Sequence, residues 1–233
     1  MKRFRRLLVA GALTAMLFTL PGCGGGDAPA ASSSGSNGVA SSSAPPEPVV
    51  VEPAYYHPLT GVGMDEDLSR LRPVAVMIND LKAAQPQLGV SQADIIYEMP
   101  AEGGITRMVA IFQSLDGVGN LGSIRSTRAY YLELALGHDA LLVHAGGSPE
   151  AYKDIPAWGV DNMDGVNGGS DAKIFWRDAE RRKNARYEHS LLTSGENILA
   201  YLDQGHFRTE HEEGYETSQL FTEDGTPSDG VPA

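Results

Sequence analysis

The stretch 94–112 constrains the fold more than any other part of this sequence. It reads D-I-I-Y-E-M-P-A-E-G-G-I-T-R-M-V-A-I-F, which is two runs rich in β-branched, aromatic and other apolar residues around Gly103-Gly104. A glycine pair between two such runs is typical of a hairpin, because the tight turns of antiparallel strands need positive φ angles. The sequence therefore predicts two paired strands, with Glu98, Glu102 and Arg107 close to their turn.

Further strands and helices are predicted on either side of this hairpin. The apolar run P-V-A-V-M-I-N at 73–79 is typical of a buried strand, and D-A-L-L-V-H at 139–144 predicts another. Residues 156–171 are rich in Gly, Asn and Asp and predict a long loop, whereas 174–182 predicts a helix or a strand that runs into one. This order indicates a mixed α/β (α+β) fold, with a central β-sheet that contains the Gly-Gly hairpin and helices packed on it.

Three helix starts are recognisable from their capping residues. Ser126 or Thr127 is expected to cap a helix over 128–137, whose buried face would include Tyr131, Leu134 and Ala135. Ser148 followed by Pro149 is a typical N-cap with proline in the first helical position. The pattern Thr193-x-x-Glu196 is a capping box, and it predicts a helix that ends near Leu202.

The N-terminal residues carry the signature of an exported lipoprotein. A basic start precedes an apolar run, Leu7 to Leu20, that is too short to span a membrane, and L-P-G-C then ends at Cys23, the single cysteine. We expect a signal peptide over 1–22 and a lipid on Cys23, which would hold the protein at the extracytoplasmic face of the cytoplasmic membrane. Residues 23–54 are mostly Gly, Ser, Ala and Pro and are expected to form a flexible tether.

Composition and charge limit the functions that the remaining residues can have. Residues 55–205 are enough for one globular α/β domain, and 206–233 read as an acidic tail. The formal net charge is −12; without the four basic residues of the signal, 14 basic residues stand against 30 acids, which gives −16. Such a charge argues against a general nucleic-acid binder, so no nucleic-acid partner is predicted.

Five segments of the chain carry a family resemblance: R-P-V-A-V-M-I-N at 72–79, L-G-V-S-Q-A-D-I-I-Y-E at 88–98, A-E-G-G-I-T-R at 101–107, I-R-S-T-R at 124–128 and D-A-L-L-V-H-A-G-G-S-P-E-A at 139–151. They resemble the YerB-like bacterial lipoprotein family, which is defined by a domain of unknown function. The resemblance implies a lipid-anchored envelope protein and brings no established activity. It also implies a second, C-terminal β-rich domain that would begin about where this chain stops, at Ala233, so that 206–233 would be the start of a missing C-terminal domain.

The main functional hypothesis is a site for an anionic or peptide ligand. Arginine gives a planar, two-point grip on phosphate or carboxylate, and the A-G-G-S-P turn at 145–149 adds N–H groups at a helix start. Arg177 and Arg181 would lie one turn apart if 174–182 is helical. The alternative is that Arg107 pairs with Glu98 or Glu102 and that the glycine turn only caps a helix. The predicted ligand-binding residues are Glu102, Arg107, Arg125, Arg128, His144, Gly146, Gly147 and Ser148.

Catalysis is the rival hypothesis for the same region. Ser148 and His144, with Asp139 or Asp94, form a conceivable hydrolytic triad, although the G-x-S-x-G turn is absent. A carboxylate pair drawn from Glu98, Glu102 and Glu188 would suit glycoside hydrolysis.

A metal site is the third hypothesis. His144 and His189, with Glu188, Glu102 or Asp94, offer ligand types for a metal, but no metal-binding spacing is present. No metal and no cofactor is therefore predicted. A non-catalytic binding module for an anion, a peptide or an envelope protein is preferred over a cell-wall or phosphoester hydrolase.

Overall fold

A five-stranded sheet lies at the centre of the fold in the computed structural model, which describes residues 52–217 and 219–221. The predicted signal peptide, Cys23 and nearly all of the tether lie outside the described residues, as does most of 218–233. The ten strands are β1 (Tyr55–Tyr56), β2 (Gly63–Met64), β3 (Val74–Asn79), β4 (Ile95–Pro100), β5 (Thr106–Phe112), β6 (Asn120–Gly122), β7 (Leu141–His144), β8 (Asn162–Asp164), β9 (Trp176–Arg177) and β10 (Leu191–Ser194). The four α-helices are α1 (Ala129–Gly137), α2 (Pro149–Trp158), α3 (Ala179–Asn184) and α4 (Gly195–Leu202).

The central sheet has the strand order β4-β5-β3-β7-β8 and is mixed in direction. β5 pairs antiparallel with β4 and with β3, while β3, β7 and β8 run parallel to one another. Every residue of β3 is buried, as expected for an apolar strand with neighbours on both sides. The parallel pairs place the carboxyl ends of β3, β7 and β8 at one edge of the sheet, and the predicted site residues lie there.

The Gly-Gly hairpin is confirmed. β4 and β5 are joined by residues 101–105, and Gly103 and Gly104 adopt φ angles of 74° and 72°. Those angles lie in the left-handed region that glycine enters without a steric penalty. β4 is an edge strand with alternating exposure, whereas β5 is buried from Arg107 onward.

Apolar side chains cover both faces of the central sheet. On one face, α1 packs Tyr131, Leu132 and Ala135 against the sheet, with Ala151 of α2 beside them. On the other face lie a three-stranded antiparallel sheet, β6-β10-β9, and helix α4. Burial of a large apolar side chain contributes about 1.5–3 kcal/mol. These two layers therefore confirm the predicted α/β class with helices on a sheet.

Three local predictions differ from the structure. Residues 156–171 are not one long loop, because they contain the end of α2 and the buried strand β8. Helix α1 begins after Arg128 with no side-chain cap, since the Ser126 hydroxyl donates to the Ala145 carbonyl oxygen instead. Helix α4 is capped by Ser194, not Thr193, and the preceding residues form β10.

The segment after α4 packs back on the domain, although a solvated tail was expected from 206. The Arg72 N–H donates to the Thr209 carbonyl oxygen at 2.8 Å. Arg208 and His211 both bond the Asp139 carboxylate, with Arg208 Nη1 at 2.7 Å and His211 Nδ1 at 2.8 Å. Burial opposes ionisation of Asp139, yet these two partners keep its pKa below the ordinary value. Residues 208–211 therefore belong to the folded domain.

Candidate anion-binding site

The site forms where β3 and β7 separate at their carboxyl ends. The two strands pair from Val74–Leu141 to Val76–Val143, and beyond that point Arg125 lies between them. Its N–H donates to the Met77 carbonyl oxygen at 3.0 Å, and its own carbonyl oxygen accepts from Ala145 N–H at 3.0 Å. In open α/β sheets, ligands bind in the crevice outside the carboxyl ends of strands that diverge in this way.

The glycine turn after β7 docks along the same segment. Thr127 N–H donates to the Gly146 carbonyl oxygen at 2.9 Å, and Ser148 N–H donates to the Thr127 carbonyl oxygen at 3.3 Å. Thr127 and Gly147 form an isolated parallel bridge. The I-R-S-T-R segment at 124–128 is thus held by backbone contacts on both sides, which fixes the positions of Arg125 and Arg128.

Arg107 extends into this region from the start of β5, opposite Asn79 of β3. Its side chain is buried, with 5% of the residue exposed, and Nη1 donates to the Ser126 carbonyl oxygen at 2.7 Å. Burial lowers the pKa of Arg107, and the charges of Arg128 and Arg125 lower it further. The alternative that Arg107 pairs with Glu98 or Glu102 does not hold, because its hydrogen bond goes to a main-chain oxygen.

Glu102 instead binds Arg128. The guanidinium contacts both carboxylate oxygens, through Nε and through Nη2, the latter at 2.7 Å. The third nitrogen, Nη1, donates to the Thr127 carbonyl oxygen at 2.7 Å. The Arg128 hydrogen bonds lower the pKa of Glu102 to about 2, so this carboxylate stays ionised at neutral pH.

Arg125 keeps unused hydrogen-bonding capacity. Nη1 donates to the Glu188 carbonyl oxygen at 2.9 Å, whereas Nε is buried without a hydrogen-bond partner. Burial lowers the pKa of Arg125; the Glu188 carboxylate opposes that effect, and the Arg128 charge adds to it. A buried donor without a partner costs about 1–3 kcal/mol. The structure therefore carries an energetic cost at this point.

His144 and Gly146 support the site from beneath. His144 is fully buried, and its ring nitrogens lie 2.9 Å from the Gly146 carbonyl oxygen and 3.0 Å from Asn162 Oδ1. Gly146 has a φ of 80°, and its N–H donates to the Asp164 carboxylate at 2.8 Å. Their contacts fix the course of the turn, so among the predicted ligand-binding residues these two lie in the supporting layer.

The predicted hydrolytic triad is not assembled. The Ser148 hydroxyl accepts from Ala151 N–H at 3.1 Å and caps α2, as its sequence position predicted. Asp139 binds Arg208 and His211, and Asp94 lies 3.3 Å from His57 Nε2 and accepts from Gln113 N–H. Within residues 52–217 and 219–221, no hydrogen bond joins Ser148 to His144.

The carboxylate and metal hypotheses gain no support from these positions. Glu102 is bound by Arg128, Glu98 is exposed on β4, and the Glu188 carboxylate lies 3.9 Å from His189 Nε2. His189 Nδ1 is 2.8 Å from the Asn79 side-chain nitrogen. In the described part of the chain, no three His, Cys, Asp or Glu side chains are arranged to hold a metal ion.

Arg177 and Arg181 have structural roles at the rim. Arg177 lies in β9, where Nη1 donates to the Tyr187 carbonyl oxygen at 2.8 Å and the guanidinium stacks on the Tyr187 ring. Arg181 lies in α3 and donates to the carbonyl oxygens of Ala84 and Pro86. The spacing of one helical turn was expected only if the whole of 174–182 were helical. The segment is instead a strand that runs into a helix, which is the other form that the sequence predicted.

Sequence reasoning missed Asp164, which organises the turn. Burial opposes its ionisation, but hydrogen bonds from Gly146 N–H and the Tyr152 hydroxyl keep its pKa below the ordinary value. The one signal was an acidic residue directly before a glycine, in a segment taken for a loop.

A cavity of about 290 Å³ lies near the opposite edge of the sheet, and none of the predicted site residues lines it. Its walls include His57, His138 and His211.

No helix within residues 52–217 and 219–221 is both long and apolar enough to cross a bilayer. This finding applies only to the part of the chain that the structure describes.

Comparisons with known proteins identify relatives of this chain. It is 37% identical to "Putative lipoprotein YerB" of Bacillus subtilis (strain 168) over 155 residues, which are 66% of this chain and 45% of that protein. The crystal structure of YerB from Bacillus subtilis matches with a TM-score of 0.60 and 36% identity, over 68% of this chain and 52% of the YerB chain.

The chain thus spans about half the length of the relatives that it matches. Residues 59–208 match the family described as "Protein of unknown function (DUF3048) N-terminal domain". This match covers more than half of the chain and confirms the resemblance drawn from the sequence. The chain belongs to the DUF3048 family and contains that family's N-terminal domain.

Proposed function

We propose that this protein is a lipoprotein, anchored by Cys23 at the extracytoplasmic face of the cytoplasmic membrane. Two observations support the anchor: the L-P-G-C sequence at the end of the apolar run, and the similarity to a Bacillus subtilis protein that is named as a lipoprotein. Two or three acyl chains hold a protein stably at a bilayer, because each buried methylene contributes about 0.8 kcal/mol.

The folded domain then acts as a non-catalytic receptor for an anionic ligand. The observation that carries this proposal is the arginine cluster, defined here as Arg107, Arg125 and Arg128. Among the described residues, Glu102 is the one carboxylate hydrogen-bonded to any of the three, and it binds Arg128 alone. The cluster therefore has an excess of positive charge in a protein whose net charge is strongly negative.

The chemistry of the cluster suits an anion with two or more oxygens. A unit negative charge about 4 Å from one guanidinium near a protein surface gains up to about 4 kcal/mol before desolvation is counted. Arginine forms paired N–H···O bonds with carboxylate and phosphate, which adds direction to this attraction. Arg125 adds a charge beside Arg128, and its Nε has no hydrogen-bond partner within the described part of the fold. The ligand is an anionic molecule, a peptide, or an acidic segment of an envelope protein.

Binding is favoured over hydrolysis because the groups suited to catalysis are engaged elsewhere. Ser148 caps a helix, and both ring nitrogens of His144 contact other groups. Glu102 is held ionised by Arg128, which makes it unsuitable as a proton donor at neutral pH.

Thermal unfolding of the full chain in detergent micelles tests this function. The panel contains inorganic phosphate, pyrophosphate and the carboxylate peptide N-acetylglycylglycine. A ligand that binds only the folded state raises the melting temperature by mass action. We expect at least one anion to raise it, and we expect Arg125→Gln to abolish the shift, since it removes the charge and the unsatisfied donor.

Arg70→Gln is the matched control. Arg70 is exposed and pairs with Glu210, and its replacement removes one positive charge outside the arginine cluster. It should leave the ligand-dependent shift unchanged. Equal shifts for the wild type and for Arg125→Gln, or no shift with any anion, would contradict the proposal.

A further inference from the structure

The Glu102 carboxylate binds Arg128 in the way that a ligand carboxylate would. Arg128 commits Nη1 to the Thr127 carbonyl oxygen, so its remaining parallel N–H groups are those on Nε and Nη2. Both contact the Glu102 carboxylate, one to each oxygen. This is the two-point geometry with which arginine recognises a carboxylate.

The two partners differ in how firmly the fold holds them. The Glu102 side chain is 64% exposed, whereas the Arg128 side chain is 14% exposed. Arg128 is fixed by its main-chain bond and by its position directly before α1. Glu102 lies in the hairpin turn beside Gly103 and Gly104, where a Cβ on either glycine would meet nothing within 4 Å. The carboxylate can therefore leave without disturbing buried packing, while the arginine stays in place.

The electrostatics agree with this asymmetry. Arg107 attracts the Glu102 carboxylate as well, although Arg107 forms its hydrogen bond with Ser126. Any other anion that reaches the arginine cluster must compete with a charge that is already tethered there. Exposed ion pairs contribute only about 0.2–1 kcal/mol, so a ligand that offers its own carboxylate and further contacts can displace this one.

We propose that Glu102 is an internal stand-in for the ligand, and that the ligand presents a carboxylate, such as the C-terminus of a peptide. The inference rests on the proposed function, because it assumes that the arginine cluster binds an anion. When the ligand arrives, its carboxylate replaces that of Glu102 on Nε and Nη2 of Arg128, and the Glu102 side chain turns toward solvent. The apparent affinity for the ligand is the intrinsic affinity multiplied by the fraction of molecules in which Glu102 does not occupy Arg128.

Isothermal titration of the full chain in detergent micelles tests the competition. The three probes are N-acetylglycylglycine, its uncharged C-terminal amide, and inorganic phosphate. Glu102→Gln keeps the size of the side chain but removes the competing charge. We expect this variant to bind the carboxylate peptide about threefold to fivefold more tightly than the wild type, which corresponds to the upper part of the range for such a pair. The amide should not bind to either protein.

Glu98→Gln is the control for loss of one negative charge from the same hairpin. Glu98 is exposed on β4, and we expect its replacement to leave the affinity for the peptide within about twofold of the wild type, as usual for a screened surface charge. Glu102→Ala provides a second variant with the same expected direction. Melting temperatures close to that of the wild type establish that each variant is folded.

The outcomes separate this inference from the function on which it rests. If the wild type binds the peptide through Arg125 but Glu102→Gln binds it no more tightly, the proposed competition by Glu102 is overturned and the anion site remains. If Glu102→Gln gains affinity for phosphate but not for the peptide, the carboxylate class is overturned. Failure of all the proteins to bind any anion contradicts the proposed function itself.

Discussion

At the scale of single residues, the candidate site depends on groups whose hydrogen-bonding capacity is only partly used. Arg125 has a buried Nε without a partner, and Arg107 keeps its buried charge against a carbonyl oxygen rather than a carboxylate. Native proteins rarely leave such donors unsatisfied, because each costs free energy of folding. Under the proposed function, the cost at Arg125 is retained for binding.

The backbone of Gly146 is equally specific to its position. Its φ of 80° penalises a side chain, and a Cβ there would lie 3.2 Å from Ser126 Oγ. We expect Gly146→Ala to lower the free energy of unfolding by about 1–2 kcal/mol, as measured by urea denaturation. Gly137→Ala is the control: a Cβ at this last residue of α1 meets nothing within 4 Å, and alanine there should stabilise by about 0.5–1 kcal/mol. A Gly146→Ala variant as stable as the wild type would show that the turn relaxes freely.

At the scale of elements, helix α2 follows a turn that is held along the 124–128 segment. Ser148 caps α2 through Ala151 N–H, Pro149 occupies the first helical position, and Gly159 ends the helix with a φ of 66°. The same turn is held by Asp164 of β8 through the Gly146 N–H. The helix therefore begins at a fixed place relative to the arginine cluster.

Replacement of Ser148 separates a capping role from a catalytic one. We expect Ser148→Ala to lower the free energy of unfolding by about 1 kcal/mol, since one N–H of the first turn loses its acceptor. Ser148→Asp should restore the stability, because aspartate also caps helices well. Chemical denaturation monitored by circular dichroism measures both variants. Equal stability of the alanine variant and the wild type would contradict the capping role.

The sequence predicts those elements whose signals are local. The hairpin with Gly103 and Gly104, the strand β3 and the Ser148 cap each carry their information within a few consecutive residues. Strands β8 and β10 were missed because they have three and four residues and exist through pairing with distant segments. Ser126 looked like a cap, but its hydroxyl donates to the Ala145 carbonyl oxygen on the neighbouring segment. The candidate arginines could be identified from the sequence. Their hydrogen-bond partners could not, because those depend on tertiary contacts.

At the scale of the whole molecule, the folded unit includes residues on both sides of the predicted domain end. Arg208 and His211 converge on Asp139, beside the buried Arg72, which donates to the Asp139 carbonyl oxygen and to the Asp161 carboxylate. These contacts join the segment after α4 to the loop before β7. The arginine cluster lies at the carboxyl edge of β3 and β7, whereas these contacts lie next to their amino ends.

The proposed anchoring at Cys23 concerns the whole chain and is tested in cells. We expect the wild type to fractionate with membranes and to incorporate radiolabelled palmitate, since the thiol would carry acyl chains. Cys23→Ser should abolish the incorporation of palmitate. Without acyl chains, this variant is no longer held at the membrane by a lipid anchor. Ser33→Ala, in the same Gly/Ser-rich stretch, should behave as the wild type. Incorporation of label into the Cys23→Ser protein would contradict the anchor.

The central claim is that Arg125 and Arg128 bind the carboxylate of a ligand in place of Glu102. A crystal structure of the protein soaked with N-acetylglycylglycine tests it most directly. The account predicts the peptide carboxylate within hydrogen-bond distance of Arg128 Nε and Nη2, an oxygen of the ligand near the Arg125 guanidinium, and the Glu102 side chain turned toward solvent. A bound peptide elsewhere on the protein, with the Glu102–Arg128 pair intact, would contradict it.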